Sequence, residues 1–144
     1  MSNEDFKKDV EQAYDPSKEV IQMHKVTLKE EAIAALREAM DSFSFNGMHV
    51  PYHTRDTLSG YLFEGWQAGH FVSAVLDNDL YTACAHADID NMRNLPAIAA
   101  FIYNYFPAMA YGSTANRMRY MSHVDEWSED VCKSVLSRCK LDRR

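Results

Sequence analysis

Apolar residues recur at helical spacing along most of this chain, and no stretch alternates apolar and polar positions long enough to suggest a sheet. From Thr27 onward, Ile33, Leu36 and Met40 fall on one stripe with Ala32, Ala35 and Ala39 beside it. The start of that stretch reads as a capping box. The Thr27 hydroxyl accepts from the amide three residues on, and Glu30 reaches back to the amide of Thr27. A helix over 54–64 sets Leu58, Tyr61 and Leu62 on one face, with Gly65 suited to its C-terminal end. Shorter helices follow. One over 70–76 carries Phe71, Ala74 and Val75. The next, capped by Asn78 or Asp79, turns Leu80, Ala83, Cys84 and Ala87 inward. Asp88, Asp90 and Asn91 offer caps for a further helix to about 106. A proline inside a helix costs about 3 kcal/mol, so Pro96 belongs in a first turn that starts near Asn94. Ser113 caps another helix after Pro107. Ser122 caps a last one, in which Val124, Trp127, Val131, Val135 and Cys139 make an apolar stripe.

Two segments break the pattern. Residues 41–50 form a short hairpin or an irregular loop around Asn46-Gly47, a pair that tolerates positive φ in a tight turn. Asp15-Pro16-Ser17 reads as a turn after a weakly apolar helix at 3–14. The expectation is an all-α fold: an N-terminal arm over 1–26, partly helical or mobile, and a compact single domain of six to eight mostly short helices over 27–144.

Composition narrows the setting. A chain of 144 residues is most simply one domain. It has no apolar run of the ~18–20 residues that a membrane span requires. The polar start is unlike a secretory leader, and the three cysteines lack CxxC spacing, so reduced thiols and a cytoplasmic setting are expected. Residues 41–112 carry seven acidic and two basic side chains within a net charge of −6. Affinity for nucleic acid comes mainly from lysine and arginine on phosphates, so direct duplex binding is disfavoured. An acidic middle suits a basic protein partner, or serves solubility alone.

The polar clusters carry the candidate chemistry. Asp77-Asn78-Asp79 and Asp88-Ile89-Asp90-Asn91 carry oxygens that suit a hard cation. Helix starts select the same residues for capping, and the glycine and glutamate of a calcium loop are missing. Asn78, Asp79, Asp88, Asn91 and Ser113 are therefore read as structural, and no metal, cofactor or catalytic residue is assigned. HExxH, GxSxG and phosphate-loop motifs are absent. Arg55 and Arg93 are the two cations in the acidic block, and at least one of them is expected to lock helix ends through an ion pair or carbonyl bonds. Trp66 and His70, beside Gly65 and Gly69, are candidates for partner binding. Phe43 and Phe45 in the preceding loop add contact area. Two alternatives stay open: self-association through the 124–139 stripe, and a small metal- or ligand-binding enzyme using the 77–91 polar clusters, with His86, Asp88, Asp90 and Asn91 as its groups.

The segments PYHTRDTLSGYLFEG, GHFVSAVLDNDLYTACAHAD, FIYNYFP and Gly112-Ser113 together resemble a group of small proteins encoded by tailed bacteriophages and prophages. The resemblance covers the central block, 51–113. The chain departs from the group's pattern at Ala68 before Gly69, at Tyr111 in place of a tryptophan, and at Thr114 in place of a proline. The resemblance implies a phage-like origin and a place in the host cytoplasm. It carries over no catalytic residue. The functional expectation is a non-enzymatic binder that modulates a host protein.

Overall fold

The computed structural model describes residues 15–141. Their fold is all-α, with seven α-helices: α1 Pro16–Ser42, α2 Tyr52–Glu64, α3 Gly69–Leu76, α4 Leu80–His86, α5 Ile89–Arg93, α6 Leu95–Tyr105 and α7 Thr114–Leu141. A 3-10 turn at Ala108–Ala110 joins α6 to α7.

The two long helices, each about 40 Å at 1.5 Å per residue, pack along one another. Between them they bury Ala32, Leu36 and Met40 of α1 and Val131, Cys132, Val135 and Cys139 of α7. The apolar stripe at 124–139 is thus used inside the chain and not offered to a second copy. Helix α2 packs on both and is buried along most of its length. Two tyrosines fix this junction. The Tyr61 hydroxyl donates to the carbonyl of Ala110 at 2.7 Å, and the Tyr120 hydroxyl donates to that of Leu62 at 2.5 Å. Their rings lie 5.4 Å apart. Burial pushes both phenols well above the ordinary tyrosine range, and for Tyr61 it outweighs the nearby Arg117.

Helix boundaries differ from the sequence reading in two places. Helix α1 begins at Pro16, and Asp15 is its N-cap, accepting from the Ser17 amide at 3.0 Å. Asp-Pro-Ser is therefore a helix start, with proline in the first turn, where its missing N–H costs nothing. Thr27 and Glu30 do not form a capping box. Thr27 lies inside α1, and its hydroxyl donates back to the carbonyl of Met23 at 3.0 Å. The boundary drawn between 26 and 27 consequently falls within a helix, while the helix expected at 3–14 lies outside the described residues. Likewise Ser122 starts no new helix. Its hydroxyl donates to the Arg119 carbonyl at 2.8 Å within an unbroken α7.

The 41–50 segment is a loop closed by one antiparallel bridge between Phe45 and Met48. Asn46 and Gly47 sit at φ 52° and 80°, as a tight turn requires. Phe43 is not a free contact residue. Its ring meets Phe101 at 5.4 Å and Tyr105 at 6.1 Å, edge to face, at the margin of the core. Arg55 does what its isolation in an acidic block suggests. Its Nε donates to the Val50 carbonyl at 2.7 Å, Nη1 meets Asp41 Oδ1 at 2.5 Å, and the guanidinium lies 4.2 Å from the Tyr52 ring centre. One side chain thereby ties the end of α1, the loop and the start of α2.

Candidate functional site

The polar clusters lie at helix joints, and their geometry shows what each oxygen does. In the first cluster Asp77 ends α3 and is nearly buried. It accepts from Arg117 Nε at 2.7 Å and Nη2 at 3.2 Å, and from the Thr114 hydroxyl at 2.9 Å. Asn78 takes the left-handed conformation, φ 60°. That turn lets the Asp79 amide donate to the Ala74 carbonyl at 2.9 Å and the Asn78 amide donate to that of Val75 at 3.1 Å, a Schellman end with asparagine in the usual glycine position. Asp79 then caps α4, accepting from the Thr82 amide at 3.2 Å. Hydrogen bonds from Thr82, side chain first and then backbone, hold its carboxyl below the ordinary aspartate value.

The second cluster behaves alike. Asp88 caps α5 through the Asn91 amide at 2.8 Å, and its other oxygen meets His53 Nε2 at 3.1 Å. Asn91 is buried and accepts from the Thr54 hydroxyl at 2.5 Å. Both clusters therefore hold distant elements together: Asp77 joins α3 to the start of α7, and Asp88 with Asn91 joins α5 to the start of α2. Ser113 caps α7, accepting from the Asn116 amide at 3.0 Å. Sequence reading placed most of these caps, but missed Arg117, His53 and Thr54. Their partners lie 35 to 40 residues away, and no local spacing connects them.

The partner-binding candidates sit between α2 and α4. Gly65 closes α2 at φ 69°, and the Trp66 amide donates to the Gly60 carbonyl at 3.3 Å. This reversal lays the indole against Gly60, where even a methyl group would meet Trp66 Cε3 at 2.2 Å. Trp66 nevertheless stays 63% exposed. His70, at the start of α3, is exposed and stacks on His86 of α4 with ring centres 5.1 Å apart. An open polar cleft of about 460 Å³ lies beside it, lined by Gln67, His70, Ser73, Asp77, Asp79 and Arg117 among others. Phe45 borders a second, mainly apolar concavity of about 570 Å³, which Val75, Ala99, Ala100, Tyr103 and Tyr111 complete.

The outward faces of α4 and α5 were not foreseen. Leu80, read as inward, is 62% exposed, Tyr81 89% and Ile89 69%. Two short helices offer little contact area, and α4 with α5 buries only Ala83 and Asn91.

The groups offered for an enzymatic reading turn to different partners: His86 to His70, Asp88 to His53, Asn91 to Thr54. Among the described residues, no three His, Cys, Asp or Glu side chains gather so as to hold a metal ion. The cysteines form no disulfide among the described residues, and burial pushes Cys132 above its ordinary value. No described helix is long and apolar enough to cross a membrane. No protein-family model matches the chain, and no curated protein or solved structure does either.

Proposed function

We propose that this chain is a small acidic binding protein of phage type, which acts without catalysis by docking on a host protein in the cytoplasm and changing what it does. The observation that carries the reading is Trp66. A large aromatic ring is kept out in solvent and, at the same time, fixed against the backbone of Gly60. Rigid exposed aromatics lose little conformational freedom on association, and tryptophan is enriched among residues that dominate interface energies. The oxygens of the polar clusters support the same reading, because they are engaged in helix ends and cross-links between elements.

The experiment compares wild-type protein with Trp66→Ala as bait in a bacterial host lysate, with circular dichroism on both. A specific host protein retained by the wild type and lost from a folded Trp66→Ala variant is the expected result. Retention of the same partner by both baits overturns the role of Trp66. No partner above background with the wild type overturns the binding reading itself.

A further inference from the structure

We propose that the concavity bordered by Phe45, Tyr103 and Tyr111, of about 570 Å³, binds a small uncharged molecule built on a flat heteroaromatic ring system. The inference goes beyond docking on a host protein and does not depend on it. Three aromatic side chains from three parts of the chain border one hollow. Phe45 comes from the loop before α2, Tyr103 from α6 and Tyr111 from the segment after the 3-10 turn. Phe45 is 40% exposed and Tyr103 72%. Among the described residues, none of the three rings stacks on another aromatic ring. Their backbones are pinned. Phe45 and Met48 exchange two amide-to-carbonyl bonds at 2.9 Å, and the Gly112 amide beside Tyr111 donates to the Leu76 carbonyl at 2.7 Å. A pocket that exists before its ligand arrives costs little to order. The hollow itself comes from small residues. On α6, Ala99 and Ala100 stand one turn before Tyr103 and Asn104, on one face of the helix. A longer side chain at either alanine would occupy the space.

Charge and hydrogen bonding select the ligand. No acidic or basic side chain lines this concavity, whereas the cleft beside His70 holds Asp77, Asp79 and Arg117. Arg138 is not part of the lining and touches it only through the Asn104 carbonyl, 3.2 Å from Nη1. An ion that entered would exchange its hydration shell for a wall with no counter-charge. Asn78 and Asn104 do line the concavity, and their side-chain amides make no hydrogen bond among the described residues. Each offers donors and an acceptor, which matches a ring edge that carries both. Flat rings suit the aromatic border, because ring pairs gain energy beyond the area they bury. The volume is typical of small-molecule sites, and a single side chain of a protein partner would leave much of it empty.

Four matched probes test the assignment, each titrated to millimolar concentration and followed by amide shifts in heteronuclear NMR. Isoquinolinone is a flat neutral lactam. Its fully saturated lactam is neutral but not flat, and isoquinoline carboxylate and N-methylisoquinolinium are flat but charged. Isoquinolinone is expected to bind wild type saturably, with the strongest shifts around Tyr103 and Tyr111, and the other three to bind at least about tenfold more weakly. Tyr103→Ser should weaken isoquinolinone about tenfold, Ala100→Leu should abolish binding by filling the hollow, and Trp66→Ala should bind as wild type does. Circular dichroism checks each fold, and Tyr103, as an exposed residue, still reports where Ala100→Leu fails to fold. No saturable shift with isoquinolinone, equal binding of the saturated lactam or of either ion, or unchanged binding in either folded variant overturns the proposal. A host partner lost from Tyr103→Ser, with isoquinolinone leaving wild type unmoved, also overturns it: the concavity then takes a protein contact, and the binding reading stands.

Discussion

Two glycines at one helix end do opposite things. Gly65 carries φ 69°, and a methyl group on it would meet Val124 Cγ1 at 2.8 Å, so alanine there is strained in both backbone and packing. Gly60 lies within α2 at an ordinary helical position, and the atom in its way belongs to the Trp66 ring alone. The exposed ring can swing away. Gly60→Ala is therefore expected to free the indole without harming the helix, since alanine favours a helix interior over glycine by about 1 kcal/mol. In a Trp127→Phe background, collisional quenching of Trp66 should rise while the melting temperature stays level or increases. Partner capture should fall with it. A quenching constant unchanged from wild type would show that the ring is not held by Gly60.

Asp77, Asn78 and Asp79 illustrate how much one joint between elements asks of adjacent residues. One forms a largely buried ion pair, one takes positive φ and one caps. The cap at Asp79 is local and was legible in the sequence, whereas Asn78 was read only as an alternative cap and its positive φ at the end of the preceding helix was not foreseen. The ion pair was not legible, because Arg117 lies 40 residues downstream. Local reading also failed at Thr27 and Ser122. A hydroxyl residue that caps a helix in one setting bonds back to a carbonyl of the preceding turn in another, and nothing nearby in sequence separates the two. Leu80 was misplaced for a related reason: periodicity finds a face, but in two turns of helix only tertiary contact decides which side is covered. Removing one partner of this largely buried pair leaves the other charge uncompensated. Arg117→Met should consequently destabilise the fold by about 3 kcal/mol, read as a lower urea midpoint at unchanged slope. Asp77→Asn with Arg117→Met together should recover part of that loss. If the double substitution is as unstable as the sum of the singles, Asp77 and Arg117 are not acting as a pair.

At the scale of the whole molecule, the long helices and α2 meet around Tyr61 and Tyr120, whose hydroxyls are spent on the carbonyls of Ala110 and Leu62. These bonds join the 3-10 turn to α2 and α2 to α7, so the central junction depends on two protons staying in place. Burial raises both phenols above their unfolded value near 10. The folded chain then binds those protons more firmly than the unfolded chain does. The resulting stabilisation is complete below about pH 10 and is lost as pH rises from there toward the folded values. Melting temperature should accordingly drop steeply above pH 10, and tyrosinate absorbance should show a fraction that appears only as helicity collapses. Tyr61→Phe removes one hydrogen bond, at about 1 kcal/mol near neutral pH, and also removes one of the two protons from the linkage. Its melting curve should begin lower and fall less steeply with alkali. Parallel decline in wild type and Tyr61→Phe would mean that alkaline unfolding is driven from elsewhere, by repulsion among the surface carboxylates once the lysines lose their charge.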